Sequence, residues 1–162
     1  MQRPHLQTRS AIALIAAVLT VLAVAAPAAA GSPQSVTIVS HVTFNPDGPN
    51  FGDFDASGAA VGSVICPTGT FVDTSIRFAG FQSPRGVVQL QVGKTFTCND
   101  GSGSFFVKLQ IQANFNSGLE TFTWVANGGT GDYSALRGSG RGTTVPNAPI
   151  GNINTYEGFL LR

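Results

Sequence analysis

The chain has 162 residues, a formal net charge of +1 and only 10% charged residues, against 20 glycines and 12 phenylalanines. So few charges exclude coiled coils and solvated helices, and no basic excess is present to hold a nucleic-acid backbone, so we expect no nucleic-acid partner. Sequence rich in glycine and phenylalanine and poor in lysine is typical of packed β structure with many turns.

The first 30 residues have the order of a secretory signal peptide. Arg3 and Arg9 give a basic start, an uncharged apolar run follows over residues 11–26, and small residues lead to Ala30. A retained membrane anchor is the alternative, but the run is shorter than the ~20 apolar residues that a spanning helix needs. We therefore expect cleavage after Ala30, no membrane span after processing, and a secreted product with a single domain over 31–162.

The chain contains two cysteines, Cys66 and Cys98. In an exported protein two cysteines most simply form one disulfide, which we predict here. The alternative is a reactive thiol, which needs a nearby base. The chain after residue 30 has one histidine, His41, so the disulfide is the better-supported interpretation.

Alternation of apolar and polar residues recurs along the chain and no segment has helical periodicity. It is clearest from Phe105 onward, where every second residue is apolar as far as Phe115. The predicted strands are 36–44, 54–62, 71–81, 88–98, 105–115, 119–126, 135–144 and 153–161, and turn sequences such as 45–49, 83–86, 99–101 and 116–118 separate them. Eight short-looped strands predict an all-β protein, an antiparallel eight-stranded up-and-down barrel, with a β-sandwich as the alternative.

Closely spaced glycines follow residue 127. A phosphate-binding loop would require a helix after the glycines. Here Gly138, Gly140 and Gly142 alternate with polar residues instead. This pattern predicts a tight turn that leads into a strand with a slim inner face.

The run Gly129-Thr130-Gly131-Asp132-Tyr133, with Gly138 five residues later, resembles the signature of the allene oxide cyclase and dirigent-protein barrel superfamily. The two cysteines and the segment 96–103 look similar to small exported bacterial members. The resemblance implies an eight-stranded antiparallel barrel, a structural role for the turn motif Gly129, Thr130, Gly131 and Gly138, an apolar ligand, a homotrimer and no cofactor. No catalytic side chain of either family matches this sequence, so function does not transfer with the fold.

Three charged residues share strand faces with apolar residues. Lys94 lies between Val92 and Phe96, Glu120 shares a face with Phe122 and Trp124, and Glu157 precedes Phe159 by two residues. Inside a barrel, such groups would fix the polar part of a ligand and have shifted pKa values. Alternatively Lys94 pairs with a carboxylate such as Glu120, the charges lie at the barrel mouth, or a bulge at Gly93 turns Lys94 outward.

Three functions remain open on these observations. The first is a non-catalytic exported barrel that binds a small apolar or aromatic ligand, with Phe96, Phe122 and Trp124 as ligand-binding candidates, or that assembles through its outer face. The second is a cofactor-free isomerase or cyclase for a lipid-like or phenolic substrate. Its base would be Glu120 or Glu157, stabilised by Lys94 or Tyr133. The third is a structural protein with a filled core. The single histidine after residue 30, His41, predicts no metal site.

The leader generates the first testable prediction. Because the peptidase binds the small residues that precede Gly31, the exported protein should begin at or near that residue. N-terminal sequencing of the protein from the culture medium checks this, and retention of residues 11–26 would contradict it.

Overall fold

A computed structural model describes residues 31–82, 86–114, 116–117, 119–147 and 149–162; the predicted leader and the turn residues 83–85 lie outside this part of the chain. The described residues form a closed antiparallel barrel in which each strand pairs with the next and the last pairs with the first. The strands are β1 (Gln34–Thr43), β2 (Phe51–Ser57), β3 (Thr68–Gln82), β4 (Val87–Cys98), β5 (Ser104–Asn114), β6 (Leu119–Gly129), β7 (Arg137–Pro146) and β8 (Gly151–Leu161). The predicted all-β up-and-down barrel is confirmed, and the sandwich is excluded.

The second strand differs most from its prediction, since β2 ends at Ser57 and the sequence predicted strand as far as residue 62. Gly58 has a φ of +104°, a conformation that glycine adopts without strain and that ends the extended backbone. Phe115, the predicted end of the fifth strand, lies outside the described residues.

One end of the barrel is closed by two connections. The loop 58–67 buries Ala60, Val64 and Ile65, and a 3₁₀ turn at Gly131–Tyr133 buries the ring of Tyr133. The predicted disulfide between Cys66 and Cys98 is confirmed, with 5.9 Å between the Cα atoms. It ties this loop to the end of β4. The described residues contain no helix long and apolar enough to cross a membrane.

The interior next to the closed end is filled with aromatic rings. Phe96 is fully buried and stacks on Phe105 with 5.0 Å between ring centroids. Its ring also contacts the rings of Phe54, Phe71 and Tyr156. Rings in offset or edge-to-face contact contribute roughly 0.5–1.5 kcal/mol per pair beyond the burial of their area. This cluster is therefore the centre of the core.

The glycines of β7 make room for two of the rings. A Cβ atom at Gly140 would lie 2.7 Å from Nε1 of Trp124, and one at Gly142 would overlap the ring of Phe122. Trp124 Nε1 donates a hydrogen bond to the Arg141 carbonyl at 3.1 Å. The slim face predicted for this strand is thus the space in which Trp124 and Phe122 pack.

The opposite end of the barrel has uneven walls. β2 pairs with β3 only from Thr68 to Val72, whereas β3 continues to Gln82 with β4 as its neighbour. Two register shifts, after Asp73 and after Phe78, interrupt the pairing of this long hairpin. On its β2 side, the part of β3 beyond Asp73 has no partner strand among the described residues. The β3–β4 hairpin therefore projects beyond β2.

The packing against β7 generates a stability prediction. Gly142→Ala should lower the free energy of unfolding by about 1–3 kcal/mol, because the added methyl group overlaps Phe122 and overpacks the core. Gly80→Ala is the matched control, since a Cβ there would meet no atom within 4 Å, and its effect should stay within about 0.5 kcal/mol. Urea denaturation measures both, and equal effects would contradict this account of β7.

Candidate functional site

A layer of polar side chains crosses the barrel interior. Ser40 on β1, Asn154 on β8, Thr144 on β7 and Glu120 on β6 are successive cross-strand partners. Asp73 on β3 is paired in the same way with Lys94 on β4. All six point inward, and five of them are at least nine-tenths buried, Glu120 being the exception.

Lys94 and Asp73 form a buried ion pair. Their Nζ and Oδ1 atoms are 2.5 Å apart, and each side chain is less than 5% exposed. Asn50 Nδ2 donates a hydrogen bond to Asp73 Oδ2 at 3.0 Å, and the ammonium lies 4.4 Å from the centre of the Phe71 ring. Burial lowers the pKa of Lys94, although the charges of Asp73 and Glu120 act in the opposite direction. The pair satisfies two charges that would each be costly alone in this interior.

The sequence-based pairing of Lys94 with Glu120 is wrong. Glu120 is half-buried and accepts a hydrogen bond from Thr144 Oγ1 at 2.9 Å, while Asp73 lies directly opposite Lys94 in the β3–β4 register. The irregularity near Gly93 lies in β3, after Asp73, so Lys94 stays inward. Asp73 was missed, although its position two residues after Phe71 on the same strand face was a usable signal.

Three buried polar atoms in this layer make no hydrogen bond of normal geometry with any described residue. They are Ser40 Oγ, Asn154 Oδ1 and Tyr156 Oη. Burial raises the pKa of Tyr156 far above its usual value, while the neighbouring Ser40 and Asn154 side chains lower it by a smaller amount, so the phenol is neutral at every physiological pH. The three polar groups therefore lie beside one another. A buried polar group left without a partner costs roughly 1–3 kcal/mol. Three such atoms close together are therefore suited to a polar group supplied from outside the chain.

An apolar rim lies beside this polar layer, on the projecting β3–β4 hairpin. We define the rim as Ile76, Phe78 and Phe81, which are 54%, 66% and 57% exposed. Their register partners on β4 are the inward residues Val92, Leu90 and Val88, so the rim side chains lie on the inner side of the sheet. The inner wall of the open end is therefore apolar and exposed, a feature that commonly marks a binding surface.

The other candidate residues lie elsewhere. Glu157 is exposed on the outer face, because Asn154 and Tyr156 occupy the inward positions of β8; the expectation that it points inward is wrong. Tyr133 lies at the closed end, where its hydroxyl is 3.2 Å from Cys98 Sγ and 2.8 Å from Ser102 Oγ. The structure thus separates Glu157 and Tyr133 from Lys94 and Glu120.

The predicted ligand-binding rings and the turn motif are part of the framework. Phe96, Phe122 and Trp124 pack against other rings and have almost no exposed surface for a ligand to contact. Gly129 ends β6, Thr130 precedes the 3₁₀ turn and Gly131 begins it, and Gly138 faces inward near the start of β7. Among the described residues, no group of three or more His, Cys, Asp or Glu side chains could hold a metal ion.

Comparisons with protein-family models, with curated proteins and with solved structures found no match to this chain. The resemblance to the allene oxide cyclase and dirigent superfamily therefore rests on the turn motif and the strand number alone. The polar layer and the rim are the features of the structure that bear on function.

The buried ion pair generates a prediction about stability. Lys94→Met should lower the free energy of unfolding by about 3–5 kcal/mol, because it leaves the Asp73 carboxylate buried without a cation. The double change Lys94→Met and Asp73→Leu should recover most of this loss, since no charge then remains buried.

Lys108→Met is the matched control, because Lys108 is an exposed lysine on the outer face of β5. Its effect should stay within about 0.5 kcal/mol. Urea denaturation of the four proteins decides the matter, and a near-neutral Lys94→Met would show that this pair does not hold the interior together.

Proposed function

We propose that the protein is an exported, non-catalytic barrel that binds a small molecule with an apolar or aromatic body at the open end. The observation that carries the proposal is the combination of unpartnered buried polar atoms with an exposed apolar rim. Such a combination suits a ligand with one polar group and a larger apolar part.

The rim supports the apolar part of this proposal. Covering an exposed phenylalanine or isoleucine contributes roughly 1.5–3 kcal/mol when the side chain becomes fully buried. Phe78 and Phe81 are more than half exposed, although they lie on the inner side of the sheet. A ligand whose apolar body covers both rings therefore gains enough free energy to bind through this contact alone.

The polar layer supports a neutral polar group on the ligand. Lys94 is already neutralised by Asp73, and Ser40, Asn154 and Tyr156 supply uncharged atoms. A hydroxyl group can donate to Asn154 Oδ1, accept from the hydroxyl of Ser40 or Tyr156, and enter the interior without the large desolvation cost of a charge. The proposed ligand is therefore a neutral alcohol, phenol or similar hydrogen-bond donor rather than a carboxylate.

The arrangement weighs against the isomerase or cyclase hypothesis. Its base and stabiliser would have to converge on one substrate. Glu157 lies on the outer face and Tyr133 at the closed end, so neither shares the interior site of Lys94 and Glu120. Glu120 accepts a hydrogen bond from Thr144, and Lys94 is paired with Asp73. Ligand binding without catalysis does not require any of these four side chains to act on the ligand.

Export and assembly complete the proposal. The signal-like leader and the disulfide support a secreted protein, because disulfides persist in oxidising compartments. The superfamily resemblance supports a homotrimer.

The test uses the neutral fluorescent probe N-phenyl-1-naphthylamine with the secreted protein. Replacing Phe78 and Phe81 together by serine should weaken probe binding about tenfold or more, because the rim loses its apolar surface. The matched control replaces Phe106 and Phe159, two exposed rings on the outer face, by serine.

Unchanged affinity in the control pair is expected, and equal loss in both pairs would contradict the proposal.

Sedimentation velocity of the same variants tests the competing occupant, a second copy of the chain. If the rim variants dissociate an oligomer and the probe does not bind the wild-type protein, the rim is an assembly surface and the proposal is wrong. If the probe binds and only the rim variants lose affinity, mass spectrometry of an organic extract of the purified protein should identify the natural ligand.

A further inference from the structure

The outer face of the barrel carries a groove of about 650 Å³ that crosses strands β4 to β8. This volume lies within the range of small-molecule sites, ~300–1,000 Å³. Two outward residues from each of these strands line the groove, and the inward positions Leu90, Ile111, Phe122 and Gly142 lie between them in its lining. The groove therefore opens on the outer side of the barrel wall, away from the polar layer and the rim. An inference about it is independent of the proposed function.

Two cross-strand rows of side chains form the groove. In the row nearer the open end, each of the five strands contributes one uncharged polar residue: Gln89, Gln112, Thr121, Thr143 and Thr155. Adjacent strands are ~4.8 Å apart, so the row spans roughly 19 Å. Such a row presents amide and hydroxyl groups at regular spacing on a rigid sheet.

The second row runs parallel to the first, one pleat further toward the closed end. It consists of Gln91, Gln110, Thr123, Arg141 and Glu157. Arg141 and Glu157 are direct cross-strand partners, yet their side chains form no ion pair with each other or with any other described residue. Their hydrogen-bonding groups are therefore free to face a ligand.

The same holds for the uncharged members of both rows. Within the described residues, none of these glutamine and threonine side chains has a hydrogen-bonding partner. Each glutamine offers two donors and an acceptor, and each threonine hydroxyl both donates and accepts. Hydroxyl groups of sugars also donate and accept at once, so they match this surface better than apolar or purely anionic ligands do.

A smaller cavity of about 300 Å³ adjoins the groove and shares Gln91 and Gln110 with it. Arg77 and Lys108 line this cavity, and Arg141 lines the groove. Together the two linings contain three cationic side chains and one carboxylate, Glu157. Phe159, 57% exposed, lies two residues after Glu157 on the same outer face, next to the residues that line the groove.

We propose that the outer groove binds an acidic oligosaccharide, with its hydroxyl groups on the glutamine and threonine rows and a carboxylate toward Arg77 and Lys108. Nucleic acid fits the surface less well, because most of the groove is uncharged and nucleic-acid affinity depends on many phosphate–cation contacts.

Affinity electrophoresis of the secreted protein in gels containing polygalacturonate, hyaluronan or alginate tests the proposal. We expect at least one of these polymers to retard the protein. Thr123→Val with Thr143→Val should weaken that retardation about tenfold, because two hydrogen bonds are lost while a β-branched shape is kept. Thr43→Val with Thr70→Val, at exposed outward positions on β1 and β3, is the matched control and should leave retardation unchanged.

The charge component has its own control. Arg77→Gln with Lys108→Gln should abolish the preference for polygalacturonate over its methyl-esterified form, in which the carboxylates are neutral. Failure of all three polymers to retard the wild-type protein would overturn the proposal, as would equal losses in the groove and control variants. Equally strong retardation by single-stranded DNA, or loss of an oligomer in the threonine variants without a change in retardation, would also overturn it.

Discussion

Closure of the barrel is the constraint on which the rest of the structure depends. Because β8 pairs with β1, all inward side chains share one interior of limited width. Large rings at one level therefore require small residues opposite them, and the glycines of β7 face Trp124 and Phe122 for this reason. The aromatic cluster and the two connections at the closed end together fill the half of the interior next to that end.

The same closure gives the polar layer its importance. On the outer face, losing one partner of an ion pair such as Lys94–Asp73 would cost little, because water solvates the remaining charge. Inside the barrel the remaining charge would be buried without a partner, so each charge depends on the other. Ser40, Asn154 and Tyr156 lie beside one another in this interior without a hydrogen bond of normal geometry, although buried polar groups are normally well hydrogen-bonded. The exposed rim beside them is equally unusual for a sheet face directed inward. Binding of a neutral amphiphilic molecule accounts for both departures at once.

Much of the fold could be predicted from the sequence, because period-two alternation and turn residues are local signals. The strand number, the slim face of β7 and the position of Lys94 on an apolar face follow from such signals. The disulfide follows from the presence of two cysteines in a chain with a signal-like leader. The partner of Lys94 could not be identified, because it depends on the β3–β4 register and on a bulge that no local pattern specifies. The inward-facing rim was missed for a related reason: only the short length of β2 leaves that part of β3 exposed. The outward direction of Glu157 likewise depends on the phase of β8.

The central claim is that ligand binds on the inner wall of the open end. It is tested most directly by methyl NMR of the protein titrated with N-phenyl-1-naphthylamine. The account predicts shift changes at Ile76, Val88 and Leu90, which lie on the inner side of the β3–β4 hairpin, and none at the outward residues Val125 and Val145. Shift changes confined to the outward methyl groups, or no saturable change at any methyl group, would contradict it.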